Sequence, residues 1–95
     1  MIMNGYEIKP GANLKFANLR ETDLSNANLE GANLYGALLY RSNLEGVNLR
    51  GANLEGVNLM YANLKDANLE NAIFSCTNVV RTNFEGANLK GTIFE

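Results

Sequence analysis

From Leu14 onward an apolar residue recurs at every fifth position. This third place of a five-residue unit holds 13 Leu, Phe74, Phe84, Phe94 and Val79. The first place is always small or β-branched: ten Ala, four Thr, two Val and Ser42. The second is Asn in 13 of 17 units, the exceptions being Asp23, Leu38, Ile73 and Ile93. The fourth and fifth vary, with Gly at the fifth seven times. The units run without a gap from Ala12 to Glu95, which leaves residues 1–11 outside the pattern.

A period of five suits neither common element. On a helix, at ~100° per residue, successive Leu would step around the axis by ~140° and form no apolar stripe. On an unbroken strand, odd steps would send successive Leu to opposite faces. Within one unit, however, places one and three share a strand face and place two points away. Each unit therefore reads as a short extended piece with two side chains in and one out. Places four and five must then turn the chain. Gly31, Gly36, Gly46, Gly51, Gly56, Gly86 and Gly91 suit a corner of positive φ, with Asn26 and Asn71 next best. Phe16, Glu21, Arg41, Tyr61, Asp66, Cys76 and Arg81 occupy the same place, so some corners are expected to turn without positive φ. Repetition of this unit winds a solenoid, an all-β architecture.

Ala-Asn-Leu-x-Gly, repeated as in Ala27–Gly36 and Val47–Gly56, resembles the pentapeptide-repeat family across all but the first 11 residues. The resemblance implies a right-handed quadrilateral β-helix with about 20 residues per coil, hence about four coils for residues 12–95. Residues 20 apart then stack. The inward columns are Leu14/Leu34/Leu54/Phe74/Phe94, Leu19/Leu39/Leu59/Val79, Leu24/Leu44/Leu64/Phe84 and Leu29/Leu49/Leu69/Leu89. At a strand spacing of ~4.8 Å the column is about 20 Å tall. The outward Asn are expected to bond local backbone and stacked copies of themselves. Residues 1–11 read as an N-terminal cap, with Ile2, Tyr6, Ile8 and Pro10 folding over the first coil.

Outer faces are where function would lie. One outward column reads Glu30/Arg50/Glu70/Lys90 and another Ser25/Glu45/Lys65/Glu85, which are ladders of alternating sign. The face between Ala17 and Glu21, with its stacked copies, differs. It carries Arg20, Tyr40, Met60 and Val80 outward, Leu38 in place of Asn, and Glu21, Arg41, Tyr61 and Arg81 at its corner, with Tyr35 just before Leu38 on the adjoining face. Tyr35, Leu38, Tyr40, Met60, Tyr61 and Val80, flanked by Arg41 and Arg81, form a candidate contact surface, because Tyr and Arg are enriched at interface hot spots. Ile93 and Phe94 at the C-terminal end are a candidate end-to-end contact. The resemblance adds that relatives often dimerise there, so a homodimer through that end or the Tyr-rich face is expected.

Composition narrows the chemistry. The 95 residues have room for one domain, carry a net charge of −2 and contain no His, no Trp and a single Cys, Cys76. Without His there is no ready base near neutral pH, and Cys76 has only Ser75 and Thr77 beside it. No spacing of Cys, His or carboxylates suggests a metal site, and a side-chain-filled column leaves no substrate cavity. The expectation is a non-catalytic interaction or structural module with no cofactor and no small-molecule substrate. The near-neutral balance argues against direct nucleic-acid binding. No apolar run nears the roughly 18 residues of a membrane span, and no leader is evident, so a cytoplasmic place is expected. The resemblance points to a bacterial and particularly a cyanobacterial source. The alternative is mimicry of DNA toward an enzyme such as DNA gyrase. About 20 Å of duplex carries about 12 negative charges, against −2 here.

Overall fold

A computed structural model describes residues 1–94. Thirteen isolated parallel pairings organise the chain, and every one joins residues 20 apart, from Asn13 with Asn33 to Ile73 with Ile93. The chain is a β-solenoid whose successive rungs lie 20 residues apart. Each rung contributes four short faces: face 1 begins at Ala12, face 2 at Ala17, face 3 at Thr22 and face 4 at Ala27. Each extended piece is too short to form a continuous strand.

The rungs are tied by backbone hydrogen bonds on both sides of place two. On face 1 the Leu14 N–H donates to the Asn33 carbonyl at 2.7 Å, and the Asn33 N–H donates to the Ala12 carbonyl at 2.9 Å. The corner residue is tied as well, as in Phe16 N–H to the Tyr35 carbonyl at 2.8 Å. Place one closes the corner by donating back to place three, as in Ala17 N–H to the Leu14 carbonyl at 3.0 Å. Where place one is Ser42, Thr77, Thr82 or Thr92 the hydroxyl finds a carbonyl on the preceding rung, and Thr22 on the first rung donates to Leu19 instead. Ser42, Thr77 and Thr82 each donate to a residue 23 earlier at 2.7 Å.

All sixteen corners from Phe16 to Gly91 have positive φ, the non-glycine ones lying between 55° and 62°. The expectation that some of the corners at Phe16, Glu21, Arg41, Tyr61, Asp66, Cys76 and Arg81 would turn without positive φ is therefore corrected. A left-handed residue costs an L-amino acid about 1–2 kcal/mol, but the corner's two neighbouring hydrogen bonds leave no other conformation that closes the rung. Bulky corners also choose their neighbours. Phe16 lies over Gly36, Asn26 over Gly46, Asp66 over Gly86 and Asn71 over Gly91.

Place two secures the turn from the side chain. The Asn Oδ1 accepts the N–H two residues on, as at Tyr35 from Asn33 at 3.0 Å and at Glu55 from Asn53 at 2.9 Å. The Asn side chains also bond one another along a face, Asn48 to Asn28 at 3.3 Å and Asn83 to Asn63 at 3.4 Å. Asp23 does the same with more charge. It accepts both the Ser25 hydroxyl at 2.7 Å and the Ser25 N–H at 3.0 Å. Those two bonds, the hydroxyl first, hold its carboxyl below the usual range.

The inward columns are buried from Leu14 through Phe74. Beyond Phe74 exposure rises: Val79 is 37% exposed, Leu89 38% and Phe94 58%. Before the first rung stands a hairpin of β1 (Ile2–Met3) and β2 (Tyr6–Glu7). Asn4 and Gly5 both have positive φ, as a two-residue hairpin turn matching strand twist requires. Ile8 is buried, and Met3 and Tyr6 pack on the core. Ile2 and Pro10 stay exposed, contrary to expectation. Strand alternation explains it, since turning Met3 inward turns Ile2 outward. The molecule extends 30 × 21 × 21 Å, longer than the about 20 Å of stacked rungs, because the hairpin adds to the column.

Three outcomes follow. Leu49→Ala, at a fully buried site, should cost about 2–5 kcal/mol in urea melts, and Leu89→Ala roughly half of that or less. Gly31→Ala meets open space and should cost about 1 kcal/mol through its φ alone. Gly36→Ala places a Cβ 2.6 Å from the Phe16 ring and should cost more; Phe16→Ala in the same chain should return it to the Gly31→Ala level. Ser25→Ala should raise the Asp23 pKa toward its ordinary value in a carboxyl NMR titration. The sign is that of a lowered carboxylate. Its contribution to stability is present above pH 3.8 and is lost as pH falls through the depressed value.

Candidate interaction face

Faces 1 and 2 meet at the corner Phe16/Gly36/Gly56/Cys76, and their side chains depart from the Asn and charge ladders found elsewhere. Leu38 occupies place two on face 2, paired between Asn18 and Asn58. It has no Oδ1, so the Tyr40 N–H lacks the side-chain acceptor that Asn supplies at the other turns of this face. Such a hydrogen bond contributes about 0.5–1.5 kcal/mol. An apolar group at an outward place thus replaces a stabilising one.

Around Leu38 the structure arranges cations on aromatic rings. The Arg20 guanidinium donates to the Tyr40 hydroxyl at 2.9 Å and lies 6.0 Å from its ring centroid. That hydrogen bond raises the Arg20 pKa further above its ordinary value. Arg41 lies 5.7 Å from the Tyr61 ring. Across the corner, Phe16 meets the Tyr35 ring edge-on at 5.6 Å, and the Lys15 ammonium sits 5.5 Å from the one and 5.6 Å from the other. Contacts of this kind contribute about 0.5–1 kcal/mol each at exposed sites.

The sequence-predicted residues are distributed as follows. Tyr35, Arg41, Tyr61, Val80 and Arg81 are exposed, whereas Leu38, Tyr40 and Met60 are half-buried. Tyr40, Met60 and Val80 stack on face 2. Arg41, Tyr61 and Arg81 stack on its corner column, the only one of the four without a Gly. Tyr35 belongs with Phe16 and Lys15 rather than with Tyr40. The candidate surface leaves out Phe16, 64% exposed, and Lys15, and it leaves out Arg20 although Arg20 heads the outward column of face 2. Their signal was available in the sequence, since Phe16 stands 20 residues before Gly36 and Arg20 stands 20 before Tyr40.

At the C-terminal end, Ile93 and Phe94 point to opposite sides of one rung. Ile93 pairs with Ile73 on the outside. Phe94 stacks on Phe74 inside the column, at 5.3 Å and 24°, and Phe84 meets Phe74 edge-on at 6.2 Å. Both ladders of alternating sign appear in part. Arg50 bridges Glu30 at 3.1 Å and Glu70 at 3.4 Å, and Lys65 reaches Glu85 at 3.9 Å. No cavity opens among the described residues.

Comparison with known proteins supplies the family. The chain matches the model described as pentapeptide repeats, in 8 copies, over residues 11–46 and 37–75. It is similar to the crystal structure of a pentapeptide repeat protein (Rfr23) from the cyanobacterium Cyanothece 51142, at 41% identity over 90% of this chain and a TM-score of 0.53. It is also similar to a pentapeptide repeat protein of the Arabidopsis thaliana thylakoid lumen, at 32% identity over 87% and a TM-score of 0.66. A plasmid-mediated fluoroquinolone resistance protein, QnrB1, matches at 27% identity over 86%, with a TM-score of 0.44. The chain spans 63%, 55% and 45% of the length of these three proteins. No curated protein matches it. On the repeat model and the 41% identity, the chain belongs to the pentapeptide-repeat family.

Proposed function

We propose that this protein is a non-catalytic interaction module: a right-handed, four-sided column of about four coils, capped by residues 1–11, that presents face 2 to a protein partner or to a second copy of itself. The observation that carries this reading is Leu38. At that one place on face 2 the repeat gives up a turn-fixing hydrogen bond for apolar surface, and Tyr40, Met60, Tyr61 and Val80 stand beside it. Contiguous exposed apolar surface on a soluble domain marks contact sites. Mimicry of duplex DNA has less support, since the outer faces mix signs and the total charge is −2.

Leu38→Asn separates stability from contact. It should stabilise the fold by about 0.5–1.5 kcal/mol and weaken association. Tyr40→Glu/Tyr61→Glu should keep the circular dichroism of the wild type, yet lose partners recovered by pull-down from source lysate, or lose self-association. A double variant that folds and retains every partner and the same oligomeric state would falsify the reading. For the homodimer, light scattering at tens of micromolar should give about twice the 10.4 kDa of one chain; a clean monomer removes self-association and leaves only the heterologous partner.

A further inference from the structure

The net charge of −2 conceals a separation of charge around the column. Face 2 with its corner carries Arg20, Arg41 and Arg81 against Glu21, a local charge of +2, while face 1 carries Lys15 against Glu55 among the described residues. Face 3 with its corner carries Asp23, Glu45, Asp66 and Glu85 against Lys65, a local charge of −3. The cations on the two sides are used differently. Of the three cations on faces 3 and 4, Lys65 and Arg50 are matched to carboxylates and Lys90 forms no ion pair among the described residues. Among the described residues, Lys15, Arg20, Arg41 and Arg81 form no ion pair, and the first three lie on aromatic rings instead.

We infer that the occupant of face 2 is an acidic, apolar-bearing strip of another protein, whose carboxylates meet Arg20, Arg41 and Arg81 while its apolar side chains cover Leu38, Met60 and Val80. This rests on the reading of face 2 as an interaction face and names the partner's chemistry. Three observations favour it. The cations stand on the first, second and fourth rungs, so they span about 14 Å at the rung spacing, the reach of about five extended residues. A guanidinium on an aromatic ring is held in place but keeps donors free for a carboxylate, so little side-chain freedom remains to be lost on binding. The backbone of face 2 is already bonded between rungs, so a partner must be recognised through side chains rather than by strand addition.

The chain's own face 3 is a weaker match, because its carboxylates are engaged. Asp23 holds Ser25, Glu45 accepts from Asn63, Glu85 meets Lys65, and Asp66 folds over Gly86. Nucleic acid is weaker too. A local charge of +2 is small, and Phe16, Tyr35, Tyr40 and Tyr61 already have cations against them where bases would stack.

The test uses three labelled probes in fluorescence anisotropy: a peptide of about eight alternating Glu and Leu residues, its Lys-Leu counterpart, and an oligothymidylate of about twelve nucleotides. The acidic peptide should bind, and weaken roughly tenfold between about 50 and about 300 mM salt as screening grows. Arg20→Gln/Arg41→Gln/Arg81→Gln should lose that binding while keeping the circular dichroism of the wild type, with the melting transition lowered only slightly by the loss of the contacts to Tyr40 and Tyr61. Equal binding of the Glu and Lys peptides, or no effect of the triple Gln variant, overturns the inference. So does oligothymidylate binding that is stronger than that of the acidic peptide. So does self-association, by sedimentation, that the triple variant abolishes while the peptide fails to bind. If Tyr40→Glu/Tyr61→Glu loses a partner that the triple Gln variant keeps, face 2 stands as an interaction face and only the acidic partner falls.

Discussion

The left-handed corner is the constraint on which everything else depends. A chain that must present an apolar residue inward at every fifth position has to change direction at every fifth position. All sixteen corners do so with φ of one sign. From Phe16 to Asn71 the corner N–H then reaches a carbonyl of the next rung, and place one closes most turns behind it. Strain at a single residue persists when its surroundings over-determine it, and here the surroundings are the neighbouring rungs. A corner therefore tolerates Glu21 or Tyr61 as well as Gly. The unfavourable backbone term stays local, while the hydrogen bonds that oppose it are shared between rungs.

Once corners accept any side chain, the outer surface becomes a set of columns that vary independently of the core. Three of the four corner columns contain Gly, and in these a large residue lies over the Gly of the next rung: Phe16 on Gly36, Asn26 on Gly46, Asn71 on Gly91. The fourth, Glu21/Arg41/Tyr61/Arg81, has no Gly to receive a neighbour, so its side chains lie against one another, as Arg41 does on Tyr61. The same logic acts at place two. Asn there serves the fold twice, through its turn and through its ladder, and Leu38 serves it neither way. Departures from the repeat thus carry more functional information than the repeat itself.

Much of this was legible in the sequence because the physics is periodic. A period of five with two inward places gives the solenoid, and the column membership of Leu14 through Leu69 follows by counting. The Asn bonding was legible for a similar reason, since an amide two residues before an N–H has few other targets. The sign of φ at Phe16 or Tyr61 was not, because propensity alone disfavours what the rung geometry imposes. The cap was half legible. Apolar residues were visible in it, but the turn at Asn4-Gly5 decides that Met3 faces in and Ile2 faces out. On face 2, stacking by 20 located Tyr40 and Met60, whereas the pairing of Phe16 with Tyr35 depends on a ring swinging across a corner, which no count of positions reveals.

The cations show why column membership alone does not define a site. Arg50 and Arg20 hold the same place on faces 4 and 2, yet Arg50 stands between two carboxylates and Arg20 stands over a tyrosine. A guanidinium between Glu30 and Glu70 has its charge matched and its donors engaged, and the face around it is electrically quiet. A guanidinium on Tyr40 is oriented by one hydrogen bond and a ring, neither of which cancels its charge. Beside the apolar surface of face 2 the molecule therefore holds fixed positive charge that no carboxylate matches among the described residues. A partner must supply both complements at the spacing of the rungs, which is a narrower demand than affinity for aromatic residues or for positive charge alone.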